Sequence, residues 1–175
     1  MEDYIGYIKN LAENKLPTIF YNSGPEHASI VMSNIFQNSK DMIRIFAGNF
    51  SGEVSQNERY IESLKSYLNR KGKVHILLDE YTEDKKPHLF DLLSTYSFFN
   101  PENIEIKKTN THVVEEKTKK KIHFTTGDNC MFRLEEDTDK FLAKGSFNNL
   151  ELTDKLIKYF DQIFNSRDSK SIKLN

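Results

Sequence analysis

The sequence predicts an α/β domain: a mainly parallel mixed sheet flanked by helices, with an antiparallel hairpin region in the C-terminal half. Three observations carry this expectation. Helical and strand periodicities alternate from the N-terminus to about residue 107, as in βαβ units. "KVHILL" (73–78) is almost continuously apolar, the pattern of a strand covered on both faces. Beyond residue 121, three short runs are separated by "DN" and "DTD", which are turn chemistries.

Taken in order, Tyr4, Ile5, Ile8, Leu11 and Ala12 recur at helical spacing and form a short first helix. "LPTIFYNSGPE" breaks it, and Ser23 with Glu26 reads as a capping box with Pro25 in the first turn. Ala28, Val31, Met32, Ile35, Phe36 and Ser39 line one face of the next helix. "MIRIF" (42–46) alternates as a strand, and "AGNFSGEVSQNE" is a polar, glycine-punctuated loop after it. Tyr60, Ile61, Leu64, Tyr67 and Leu68 make a helix closed by Gly72. The strand 73–78 follows; Pro87 opens a helix through Leu89, Phe90, Leu93 and Tyr96; "NIEIK" (103–107) is a third strand.

"KTNTHVVEEKTKKK" reads as a polar loop or irregular hairpin. "KIHFTTG", "CMFRLEE" and "KFLAKGSF" are three short strands. Leu152, Leu156, Ile157, Phe160, Ile163 and Phe164 then face inward from a last helix, capped by Asn148 with Glu151. Residues 1–165 form a single domain, of which 1–24 are the N-terminal helix and its connection, and 166–175 are a flexible tail.

The composition excludes several classes. With Lys+Arg 25 against Asp+Glu 26 the formal charge is -1, so no global field draws in nucleic acid or an anionic membrane. Cys130 is the single cysteine, which rules out an internal disulfide framework and cysteine-rich zinc modules. No apolar run reaches the ~18 residues of a membrane span, and the N-terminus lacks the pattern of a signal peptide. A cytoplasmic domain without a cofactor is expected, and the Lys, Asn, Ile and Tyr usage suits an AT-rich bacterial genome.

The order of elements, from the helix before "KDMIRIFAGNFSG" through "GKVHILLDE" and "NIEIKK" to a histidine-bearing strand, a hairpin and "ELTDKLIKYFDQIF", resembles one half of the phospholipase D superfamily over residues 26 to 165. The resemblance implies a His-x-Lys motif followed by four residues and an Asp, then Gly-Ser-x-Asn. Two such motifs, from two halves or two subunits, meet at one centre. There one histidine attacks phosphorus and the other protonates the leaving group, while lysines and asparagines hold the phosphate oxygens. Here His123 stands at the nucleophile's position. Thr125 occupies the lysine position, Cys130 the aspartate position, and Asp128 comes two residues early. "GSFN" (145–148) begins 22 residues after His123, later than the family's roughly 14.

His123 is thus the catalytic candidate, against a hydrogen-bonded strand histidine. Arg133, Asp128, Ser146 and Asn148 are candidate phosphate or ligand contacts. Their alternatives are, respectively, a surface strand arginine, an ordinary turn, a strand end and a helix cap. "FAGNFSG" (46–52) is a sharp turn or a phosphate cradle at the C-terminal end of a strand. Six lysines and two glutamates fall between 107 and 121, a solvated loop or a phosphate contact. His27, His75, His88 and His112 show no metal-ligand spacing, and His75 is expected in the core.

The leading expectation is a non-catalytic binding or regulatory module, a pseudoenzyme acting as a homodimer or on a partner protein. The alternative is a divergent phosphodiesterase or nuclease using His123 across a dimer, with Arg133 or a lysine of 117–121 replacing the missing motif lysine. An accessory sensor in a bacterial defence or mobile-element system is a third reading, by analogy alone.

Overall fold

The computed structural model describes residues 1–174. Its elements run α1 (Glu2–Glu13), β1 (Phe20–Asn22), α2 (Gly24–Asn38), β2 (Met42–Ala47), α3 (Glu53–Gln56), α4 (Glu58–Asn69), β3 (Lys73–Leu78), α5 (Leu89–Phe99), β4 (Ile104–Lys108), β5 (His123–Gly127), β6 (Met131–Asp137), β7 (Leu142–Ser146), α6 (Leu150–Phe164) and β8 (Lys170–Ser171). One eight-stranded mixed sheet has the order β1-β7-β6-β5-β2-β3-β4-β8. Parallel pairing is confined to β2–β3 and β3–β4. The other described neighbours are antiparallel, so parallel pairs are fewer than the sequence suggested. The reason is connectivity: only the first half supplies helical crossovers, and every hairpin adds an antiparallel neighbour.

Alternation along the strands gives the sheet two differently covered faces. Ile43, Ile45, Val74, Ile76, Leu78, Ile104 and Ile106 pack under α1, α2, α4 and α5. Phe46, Leu77, Phe124 and Phe132 pack under α6 through Leu156, Phe160, Ile163 and Phe164. Burial on both sides accounts for the unbroken apolar run of β3.

Local chemistry departs from the sequence reading at five places. Ser23 stands at the N-cap of α2, but its side chain makes no cap hydrogen bond; Gly24 instead adopts φ +80 and its N–H donates to the Lys140 carbonyl at 3.4 Å. Gly72 is not the left-handed residue after α4. Lys71 is, at φ 63, and a Cβ on residue 72 would lie 2.2 Å from Tyr67 Cζ. Asn149, whose side chain accepts from the Leu152 N–H, caps α6 in place of Asn148. β1 escaped notice because it is three residues long with Tyr21 exposed. The expected frayed tail pairs with β4 as β8, with the Ile172 N–H donating to the Ile106 carbonyl at 2.8 Å.

Candidate functional site

The site lies where β2 and β3 end and β5 begins, the edge at which α/β sheets place ligands. Residues directly opposite in a ladder share a face. His123 faces Glu135 and Thr125 faces Arg133 across β5 and β6, so all four side chains point to one side of the sheet. They line a cleft of about 350 Å³, walled by Gly48, Asn49, Phe50, Gly52, Val54 and Ser55 after β2 and by Thr138, Asp139 and Phe141 from the β6–β7 turn.

His123 is held from three directions. Its Nε2 lies 3.3 Å from Asp79 Oδ1, its ring meets Phe46 edge-on with centroids 5.8 Å apart, and the backbone of Gly48 passes close by. A Cβ at position 48 would touch His123 Cε1 at 3.5 Å and, at 2.9 Å from Glu80 Oε2, would make the end of the Glu80 side chain shift. Asp79 Oδ2 is also 2.8 Å from His112 Nδ1, and the Asp79 side chain is 1 % exposed. One buried carboxylate therefore serves two imidazoles. Burial pushes its pKa up, but the hydrogen bonds from His123 and His112 outweigh that, and its pKa falls below the usual 3.8.

Arg133, which lines the cleft, and Lys121 beside it are each paired with a carboxylate. Arg133 is buried, 6 % exposed, with Nη1 donating to Glu135 Oε2 at 2.5 Å and Nε to Asn22 Oδ1 at 3.3 Å. It is a surface arginine no longer. Removing Glu135 alone would strand a buried charge at a cost of ~3–5 kcal/mol. Lys121 Nζ donates to Glu80 Oε1 at 2.6 Å, which raises the lysine's pKa. Three more lysines of the segment are paired in the same way: Lys120 with Asp137, Lys107 with Glu105 and Lys108 with Glu83. Arg133 Nη2 and the Tyr60 hydroxyl are shielded from solvent and have no hydrogen-bond partner among the described residues. Left unsatisfied, each costs about 1–3 kcal/mol.

Of the five residues singled out in the sequence, the fold brings together His123 and Arg133. Asp128 sits at the other end of β5, at φ 49, where its carboxylate accepts the backbone N–H groups of Lys40, Asp41 and Met42. It staples the β5–β6 turn to the start of β2. Ser146 is fully buried, and its Oγ accepts the Asn148 N–H at 3.3 Å. Asn148 Nδ2 donates to the Lys15 carbonyl. Neither lines the cleft, so "GSFN" builds the junction of β7 and α6. His75, half-buried, stacks on Phe164 at 4.8 Å. Asp79, Glu80, His112, Tyr60 and Glu135 were not foreseen; the "DE" pair at the C-terminal end of β3 was the available signal. Among the described residues, no group of three His, Cys, Asp or Glu side chains could hold a metal ion, and no helix is long and apolar enough to cross a membrane.

No protein-family model matches the sequence, and no curated protein does. Solved structures do match. Nuc from Salmonella typhimurium, described as a phospholipase D family member, superposes with a TM-score of 0.60 at 14% identity, over 89% of this chain and 98% of that one. The fold is that of the phospholipase D superfamily. NucT from Helicobacter pylori matches this phospholipase D-like chain with a TM-score of 0.60 at 10% identity, over 89% of this chain and 100% of the other. TrmBL2, an archaeal chromatin protein described as having a novel mode of DNA binding, matches with a TM-score of 0.62 at 11% identity, over 98% of this chain and 60% of its own.

Proposed function

We propose that this phospholipase D-like chain is a non-catalytic binding module whose ligand enters the His123 cleft, and that it works through a second copy or a partner protein. The observation that supports this is the pairing of the cations. Thr125 stands where the fold family's lysine is expected, and Arg133 and Lys121 are each neutralised by a carboxylate at hydrogen-bonding distance. The charge that develops on a phosphoryl group in transfer needs fixed, uncommitted donors. Around His123 the uncommitted charge is instead acidic, with Asp139 on the cleft rim.

The test is hydrolysis of bis(p-nitrophenyl) phosphate and single-stranded DNA by the wild type and His123→Ala. No turnover that depends on His123 is expected. Sedimentation at high micromolar concentration tests self-association, and a strict monomer removes that part of the proposal.

The second reading, a divergent phosphodiesterase, is favoured by the buried Asp79 that orients His123 and by Arg133 lying directly across the ladder from Thr125. It predicts that His123→Ala abolishes turnover in a chain that remains folded.

A further inference from the structure

Resting on the self-association part of that reading, we propose that a second copy of this chain docks on the exposed face of α5, with Phe99 of each copy seated in an apolar groove of the other. Phe98 and Phe99 close α5 and are 82% and 74% exposed, the two most exposed large apolar side chains among the described residues. Their rings meet edge-on with centroids 5.2 Å apart. Two adjacent rings left in water form a continuous apolar patch, which marks an interaction surface where a single exposed side chain would not. Nearer the start of α5 lies a groove of about 440 Å³, with apolar walls from Phe50, Ile61, Leu89 and Leu92 and with Lys65 and His88 among its polar lining. It is larger than the ~150 Å³ cavity that holds a benzene ring.

The spacing of ring and groove selects the occupant. Leu92, Tyr96 and Phe99 follow one another at intervals of four and three residues along α5, so they share a face of the helix. Leu92 and Phe99 stand about 10.5 Å apart along its axis. Two α5 helices packed antiparallel, about a two-fold axis midway between those residues, place each Phe99 over the other copy's Leu92 and groove. The exchange is reciprocal and closes at two copies. Charge permits it. Asp91 is the single charged residue between Leu89 and Phe99, and Lys65 at the groove is paired with Glu62 at 2.7 Å, so the faces meet without like-charge repulsion. The area suffices as well. A phenylalanine ring buries ~150–250 Å², and four such rings with the surface they cover remove on the order of 1,200 Å² from water, the lower end for a specific interface.

The experiment is sedimentation equilibrium from low to high micromolar concentration on the wild type and Phe99→Ser. The wild type should dimerise, and the substitution should raise the dissociation constant about 30-fold, the effect of losing a central interface anchor. The thermal midpoint of the dilute protein should not move, because the ring is 74% exposed and lies outside the core. A second measurement places the face. Thr95 is exposed and lies beside the two-fold axis, so Thr95→Cys in a Cys130→Ser background can carry a nitroxide label. With helix axes ~8–10 Å apart, two such labels fall within about 20 Å and should broaden each other's spin-resonance lines. Adding Phe99→Ser should remove the broadening. A dimer that Phe99→Ser leaves intact, or whose labels at position 95 do not broaden, overturns the docking face while self-association stands. A wild type that stays monomeric overturns both and leaves the face to a partner of another kind.

Discussion

Asp79→Asn is the substitution that best tests how the site is held together. It keeps the shape of a side chain that is 1 % exposed and removes the charge shared by His112 and His123 at 2.8 and 3.3 Å. A hydrogen bond to a charged group is worth about 1.5–3 kcal/mol. The His112 contact is discounted because that side chain is 45% exposed and solvent screens it. Relief of carboxylate desolvation offsets part of the remainder. The expected loss at neutral pH is therefore about 1–3 kcal/mol, or roughly 2–12 °C in the thermal midpoint for a chain of this size.

The pH dependence gives that loss a signature. The folded pKa of Asp79 is depressed below 3.8, so its stabilisation is present above that value and is lost as pH falls through the lower folded value. Urea unfolding followed by tyrosine fluorescence should show a gap between the two proteins that persists from neutral pH down to about pH 5 and closes below about pH 4. Equal stability at neutral pH would refute the reasoning, and so would a gap that persists undiminished in acid.

Three further outcomes are expected. Gly72→Ala places a Cβ 2.2 Å from the ring of Tyr67, which is fully buried and donates its hydroxyl to the Lys73 carbonyl. Overpacking should cost about 1–3 kcal/mol in chemical denaturation, and a neutral result would mean that the ring moves freely. The pKa of His75 is lowered chiefly by burial, with Arg44 and Lys107 adding to it against Glu105 and Asp161. Its contribution is thus intact above the unfolded value of 6.5 and erodes as pH drops below it; His75→Gln should flatten that part of the stability curve. Truncation after Ser169 removes β8, the Ile172-to-Ile106 hydrogen bond and buried Leu174. It should lower stability by about 1–3 kcal/mol in the same assay, and an unchanged midpoint would show that the edge strand contributes nothing.

Periodicity made most of the fold legible. Helical spacing located α1, α2, α4, α5 and α6, and period-two or continuous apolar runs located β2 to β7, because burial against a single sheet leaves its imprint along each segment. What escaped were β1, α3 and β8, elements of two to four residues too short to show a period. Asp128 and Ser146 stand close in sequence to motif positions, yet one caps a turn and the other is buried at the α6 junction. Motif spacing counts residues along the chain, and it cannot tell which end of a strand they reach.

The α/β class, the histidine strand and the absent motif lysine were properties of the linear chain, since each depends on residue type and local spacing. Which side chains meet His123 was settled in three dimensions. Asp79 lies 44 residues away and His112 lies 33 residues from Asp79; the three meet only because the end of β3 lies beside the start of β5 across β2. The same holds for charge. The lysine-rich segment read as a local positive excess, but folding brings Glu80, Asp137 and Glu105 against it. Electrostatics depends on distance through space, and folding sets carboxylates against Lys107, Lys108, Lys120 and Lys121 of that segment.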